Sequence, residues 1–129
     1  MIAETERLLQ KGGVGLIVLD SATALYRTEL ATGQEAQRRL ARQMVHLLGL
    51  AKRYDLPALS TNQVYMDVTR NIATGLGGTT MAHLSKAIVR LEGSDGVRRA
   101  ILEKHRSRPA GESFLFEMTG DGIRVRESP

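Results

Sequence analysis

The sequence predicts an α/β protein: a parallel central sheet flanked by helices, followed by an antiparallel, β-rich carboxyl-terminal extension. Three features point there. An apolar run, Val14 to Leu19, ends at a carboxylate, Asp20. A long amphipathic segment, Gln34 to Tyr54, comes next, and a second short apolar run, Ala58 to Thr61, follows it. Strand, helix, strand in that order is a βαβ unit, whose strands pair in parallel. The last third instead shows short runs separated by turn residues, the pattern of antiparallel hairpins.

Each element has its own local reason. Met1 to Lys11 reads as a helix with Ile2, Leu8 and Leu9 on one face, stopped by Gly12-Gly13. Val14 to Leu19 is apolar on both faces, which suits a strand in the middle of a covered parallel sheet. Ser21 to Leu30 is a second, shorter segment, interrupted by Ala31-Thr32-Gly33. In the long helix Leu40, Met44, Leu47, Leu48 and Ala51 recur at helical spacing, with Arg38, Arg39, Arg42, Lys52 and Arg53 on the polar remainder. Its closing charges suit the negative end of the helix dipole, and Asp55-Leu56-Pro57 ends it. After the second strand, Val64 to Gly78 reads as a polar, glycine-containing loop of a length that usually carries function. Thr79 to Lys86 predicts a short helix and Ala87 to Leu91 a strand. Gly93-Ser94-Asp95-Gly96 is turn chemistry ahead of a strand from Arg98 to Lys104. His105 to Gly111 is a loop, Ser113 to Met118 alternates as a strand, and Asp121-Gly122 turns it into Ile123-Arg124-Val125.

The chain has 129 residues, 42% hydrophobic and 25% charged, a composition for one globular domain rather than a disordered chain. A single domain over 1–129 is expected. No apolar run approaches the roughly 20 residues a spanning helix needs. Met1 to Lys11 carries Glu4 and Glu6 and does not read as a signal peptide. With no cysteine, disulfides and thiolate metal sites are excluded, and the cytoplasm is the expected compartment. The net charge of +4 permits a polyanionic partner. Only 4% of residues are aromatic, so a nucleic acid would be held by Arg and Lys on phosphate rather than by stacked bases.

Open α/β sheets bind ligands beyond the carboxyl ends of their strands. Asp20 stands at such an end, where a carboxylate can hold Mg²⁺ beside nucleotide phosphates, through water because Mg²⁺ keeps much of its hydration shell. The plainer alternative is an Asp that caps the next turn. Ser21 either joins the same shell or caps a helix. Gln63 ends the second strand at the same edge of the sheet. Lys104, His105, Arg106 and Arg108 crowd one loop beside Pro109-Ala110-Gly111, a density of cations that an anionic partner would relieve. His105 has only Glu103 near it, too little for a zinc site, and His46 and His83 read as helix residues.

Three blocks carry a resemblance to a known family. They are Leu19-Asp20-Ser21-Ala22-Thr23-Ala24-Leu25-Tyr26-Arg27-Thr28-Glu29; then Ala41-Arg42-Gln43-Met44 with Thr61-Asn62-Gln63-Val64; and Leu76-Gly77-Gly78 ahead of Ala82-His83. At these relative positions they resemble the RecA/RadA recombinase superfamily. Glu103-Lys104-His105-Arg106-Ser107-Arg108-Pro109 is most similar to the archaeal RadB recombinase paralogues. The resemblance implies a partial RecA-type ATPase core, with ATP and Mg²⁺ as cofactors and a role in DNA repair and homologous recombination. It implies that Asp20 and Ser21 lie in the nucleotide site and that Gln63 senses the γ-phosphate. Lys104 and Arg106 would reach the nucleotide of a neighbouring subunit, and these two with Gln63 are the candidate catalytic residues. The expected DNA-binding residues are Arg27, before a first loop at Ala31 to Gln37, Arg70 and Asn71 in a second loop, and Arg38 and Arg39 at the start of the long helix.

One departure limits the resemblance. The family's phosphate loop, G-x-x-x-x-G-K followed by Ser or Thr, occurs nowhere in these residues, nor does the upstream catalytic Glu. The chain resembles the carboxyl-terminal portion of such a core and is not expected to hydrolyse ATP alone. Expected partners are single-stranded or damaged DNA and the main archaeal recombinase RadA, with self-association through an apolar edge at the Asp20 strand and its neighbour, and no membrane. The rival reading is a non-catalytic adaptor that binds a recombinase or DNA without nucleotide. A hexameric helicase or clock-type ATPase fits less well with the Ala22 to Thr28 block.

Overall fold

The computed structural model describes residues 2–22, 34–67, 72–75, 78–94 and 96–126. They fall into two units, Met1–Leu84 and Ser85–Pro129. The first begins with α1 (Ile2–Gln10), which closes through Lys11 N–H on Leu8 O and Gly12 N–H on Leu9 O. β1 (Ile17–Leu19), α2 (Gln34–Arg53) and β2 (Ala58–Ser60) make the βαβ unit, with β1 and β2 paired in parallel. The register is Ile17 to Ala58, Val18 to Leu59 and Leu19 to Ser60.

β1 is shorter than its apolar run because a strand extends only as far as its ladder. Its partner starts after Pro57, which has no N–H to give and only accepts from Ile17 N–H, at 3.1 Å. The carboxyl end of α2 is a Schellman motif. Leu56 N–H bonds to Ala51 O at 2.8 Å and Asp55 N–H to Lys52 O at 3.4 Å, with Asp55 itself at φ 53°. Asp is one of the few non-glycine residues that tolerates this left-handed position. The half-buried Leu56 then turns back onto the core.

That core lies between α2 and one face of the parallel pair. Leu9, Ile17, Leu50 and Ala51 form one cluster; Ala22, Leu40 and Met44, with Leu19, Leu47, Met81 and Leu84 against them, form the other. On the opposite face Val18 and Leu59 stand side by side, 54% and 55% exposed. The expectation of a strand covered on both faces is therefore met on one face only among the described residues. The two helices are also tied by Arg53 to Glu6 at 2.6 Å.

Val64 to Gly78 differs from its expectation. It is not one loop: β3 (Val64–Asp67) and β4 (Ile72–Gly75) form an antiparallel hairpin in register Val64 to Gly75 through Asp67 to Ile72. Val64, Tyr65 and Ile72 in its legs are β-branched or aromatic and favour strand, even though Gly75 closes β4 opposite Val64. α3 (Gly78–Leu84) follows.

The second unit is a four-stranded antiparallel meander: β5 (Ile88–Ser94), β6 (Val97–Lys104), β7 (Ser113–Thr119) and β8 (Gly122–Arg126). Gly93 lies within β5 rather than in the turn, because Ser94 pairs directly with Val97. One face of this sheet is charged. Arg90 binds Glu103 at 2.6 Å and also Glu92, and its guanidinium is held further toward the charged form, chiefly by the Glu103 hydrogen bond. On the same face Glu117 lies between Arg124 and Arg126. Among the described residues no helix is long and apolar enough to cross a membrane.

Candidate functional site

β1 and β2 end side by side, and the chain leaving each one carries the candidate residues. Beyond the last ladder pair, Thr61 N–H bonds to Leu19 O and Ala22 N–H to Thr61 O, both at 3.0 Å. This holds Asp20 directly beside Thr61, whose Oγ1 donates to Asp20 Oδ1 at 2.5 Å. The Asp20–Ser21 peptide bond is cis. Ala22, wholly buried against Leu40 and Met44, anchors the segment from below. Asp20 and Thr61 face solvent and Ser21 is half-buried. Two residues after Thr61, the exposed Gln63 is the last residue before β3, at the foot of the hairpin. Between them the half-buried Asn62 turns its Oδ1 into the interior, where no hydrogen bond reaches that atom among the described residues.

Asp20, Ser21 and Gln63 are thus brought to one strand-end edge, where an open parallel sheet presents ligands. Thr61 belongs with them, although the block it opens, Thr61-Asn62-Gln63-Val64, points to Gln63 and gives Thr61 no role of its own. A signal for it does exist: in a parallel pair, the residue leaving the second strand lies opposite the residue leaving the first. The donor set is one carboxylate with hydroxyl and amide oxygens, all hard ligands. Among the described residues no group of three His, Cys, Asp or Glu residues could form an all-protein metal cage. One carboxylate beside hydroxyls fits a hydrated Mg²⁺ shared with phosphates better than a closed protein site.

Each unit also carries a cationic surface. At the start of α2, Glu35, Arg38, Arg39 and Arg42 line a shallow open cleft of about 390 Å³. Arg39 pairs with Glu35 at 3.0 Å, whereas Arg38 and Arg42 make no ion pair among the described residues. Arg42, one helical turn beyond Arg38, adds a cation to the two expected there. The second surface belongs to the other unit. Lys104 closes β6, half-buried, and Arg106 is exposed in the loop that follows. That loop is ordered by Gly111 N–H on Leu102 O, Leu102 N–H on Glu112 O, and Ser107 N–H on His105 Nδ1. Arg108 pairs with Glu112 at 3.3 Å. Arg27, Arg70 and Asn71, and the segment 23–33 that includes Ala31 to Gly33 of the first expected loop, lie outside the described residues; Gln34 to Gln37, the rest of that loop, instead form the first turn of α2.

Comparison with known proteins places these observations. The Rad51 family model matches residues 1–125. The chain is 64% identical over 127 residues to the DNA repair and recombination protein RadB of Methanoculleus marisnigri, covering 97% of this chain and 57% of that protein. The RadB of Archaeoglobus fulgidus is 39% identical over 125 residues, covering 95% and 57%. Among solved structures, a crystal structure of the RadB recombinase is similar with a TM-score of 0.66 and 36% identity, over 88% of this chain and 52% of that one. The chain spans a little over half the length of the curated relatives it matches.

Proposed function

Because this chain belongs to the Rad51 family, within the RecA/RadA superfamily that its motifs resemble, we propose that it is part of a RadB-like recombinase paralogue acting in DNA repair and homologous recombination. Residues 1–129 form one portion of a RecA-type ATPase domain that binds ATP with Mg²⁺ and assists the main recombinase RadA in the cytoplasm. In this reading Asp20 holds hydrated Mg²⁺, with Ser21 beside it. Gln63 senses the γ-phosphate and passes nucleotide state to the hairpin it introduces. Lys104 and Arg106 act on a neighbouring subunit's nucleotide. Arg27, Arg38, Arg39, Arg70 and Asn71 bind single-stranded DNA through phosphate, which gives affinity without sequence preference.

One observation carries the reading: Asp20 and Gln63 lie at the carboxyl ends of two strands paired in parallel, joined there by the Thr61 to Asp20 hydrogen bond. A polar network at that edge, continuous with a hairpin, supports the reading of a phosphate-driven ordering switch. The test is Gln63→Ala in a RadB-length protein that contains these residues and a phosphate loop. ATP should strengthen DNA binding by the parent and leave the variant unaffected. A variant that keeps the parent's ATP dependence would sink the sensor role.

A second reading is an adaptor that binds a recombinase or DNA without nucleotide, through cations such as Arg38 and Arg42 that make no ion pair among the described residues. Asp20→Ala separates the two. It should abolish ATP-dependent binding under the first reading and leave partner binding intact under the second.

A further inference from the structure

The loop between β6 and β7 is folded around one cation. Its mouth is closed twice, by Gly111 N–H on Leu102 O at 2.8 Å and by Leu102 N–H on Glu112 O at 2.9 Å. Gly111, at φ 98°, supplies a left-handed backbone that other residues rarely adopt. Inside the loop Ser107 N–H donates to His105 Nδ1 at 3.2 Å, and Ser107 Oγ lies 3.4 Å from the same nitrogen. A side-chain acceptor that takes up the N–H two residues on is the pattern of an Asx turn, made here by an imidazole. Arg106 is the residue this clasp encloses.

Charge singles out the same residue. The carboxylates that flank the loop in sequence are both engaged: Glu103 holds Arg90 at 2.6 Å and Glu112 holds Arg108 at 3.3 Å. Lys104 at the end of β6 and Lys86 just ahead of β5 add further cations to this unit. Arg106 is exposed and makes no ion pair among the described residues. The clasp also fixes the state of the ring. A backbone N–H can only donate, so Nδ1 is the acceptor and the neutral imidazole carries its proton on Nε2. A protonated imidazole has donors at both nitrogens and cannot close the clasp.

We propose that His105 is a positioning residue for Arg106: its neutral imidazole clasps Ser107 N–H and fixes the backbone from which Arg106 reaches an anion. The inference rests on the reading of Arg106 as a cation for a neighbouring subunit's nucleotide. A long side chain that starts from ordered backbone loses less freedom on meeting a phosphate, which raises affinity without adding a contact. His105 itself acts only through Arg106.

The test uses a RadB-length protein that contains these residues and a phosphate loop, at about pH 8, where an imidazole is ordinarily neutral. Two-bond ¹H–¹⁵N correlation should place the His105 ring proton on Nε2. His105→Asn keeps an acceptor for the N–H two residues on, whereas His105→Ala removes it. The Ser107 amide should exchange with solvent about fivefold faster in the alanine variant, the worth of one neutral hydrogen bond, and at the parent's rate in the asparagine variant. ATP affinity, read by the fluorescence of a bound nucleotide analogue, should fall by up to about fivefold in His105→Ala and return in His105→Asn. Adding His105→Ala to Arg106→Ala should cost nothing further, because a residue that acts only through Arg106 then has nothing to place. A ring proton on Nδ1, an amide rate unchanged by alanine, or an asparagine variant as weak as alanine would each overturn the proposal. Additive losses in the double variant would overturn it too, by making His105 a contact in its own right. Arg106→Ala at the parent's affinity would instead remove the nucleotide reading of Arg106, and the amide and ring-proton measurements would then uphold or overturn the clasp by themselves.

Discussion

Thr61→Val tests whether the strand-end edge is held by one hydroxyl. The Oγ1 to Oδ1 distance of 2.5 Å is at the short end for a hydroxyl on a carboxylate. A hydrogen bond to a charged group contributes about 1.5 to 3 kcal/mol. Thr61 and Asp20 are both exposed, however, so water takes the place of a missing hydroxyl. That lowers the expected loss to about 1 kcal/mol. Valine keeps the branched shape and is at least as comfortable in extended backbone, and the Thr61 N–H bond to Leu19 O and the Ala22 N–H bond to Thr61 O survive. Any loss therefore reports the hydroxyl. In a cooperative unit of this size about 1 kcal/mol lowers the melting temperature by roughly 4 to 8 °C. Urea titration gives the free energy, and the side-chain carboxyl ¹³C resonance of Asp20 reports whether its environment changes. Thr61→Ser should restore both. If the valine variant equals the parent within about 0.3 kcal/mol, or serine loses as much as valine, the hydroxyl does not hold Asp20, and the reasoning fails.

Two further outcomes follow from the same structure. Gly93→Ala should destabilise the carboxyl-terminal sheet by about 2 kcal/mol or more, because a Cβ there meets Val97 O at 2.5 Å and Arg98 Cα at 2.8 Å, in a residue at φ +135°. Loss of β5–β6 amide protection in hydrogen exchange is the readout, and a neutral substitution would mean that the hairpin relaxes around the new atom. Arg38→Ser with Arg42→Ser should weaken single-stranded DNA binding about equally for all sequences and reduce the slope of log affinity against log salt by roughly 1.4, about 0.7 for each phosphate no longer neutralised. Fluorescence anisotropy across a salt series measures it, and an unchanged slope would remove both residues from the DNA surface.

Much of the fold is legible in the chain because its signals are local. The apolar positions of α2 repeat every three to four residues, and Asp55-Leu56-Pro57 marks its end. The strand ending at Asp20 and the one ending near Gln63 can be placed beside each other because a βαβ unit pairs its strands in parallel. The β3–β4 hairpin is not legible. Its legs are four residues each, too short for alternation to stand out against the glycines around them. Thr61 is hidden for a related reason. The block it opens points to Gln63, and its own importance comes from Asp20, forty-one residues earlier.

The order of elements, the α/β class with its antiparallel extension, the family, and the two strand ends where polar residues gather can all be read from the amino acids in succession. Four features required the folded chain: where β1 begins, the β3–β4 hairpin, that Thr61 and Asp20 share a hydrogen bond, and that the carboxyl-terminal strands sort their exposed large apolar residues onto one face and their ion pairs onto the other. Periodicity, caps and turns act between residues a few positions apart and are written in adjacent letters. Register acts between strands distant in the chain, and a shift of one residue would turn every side chain to the opposite face.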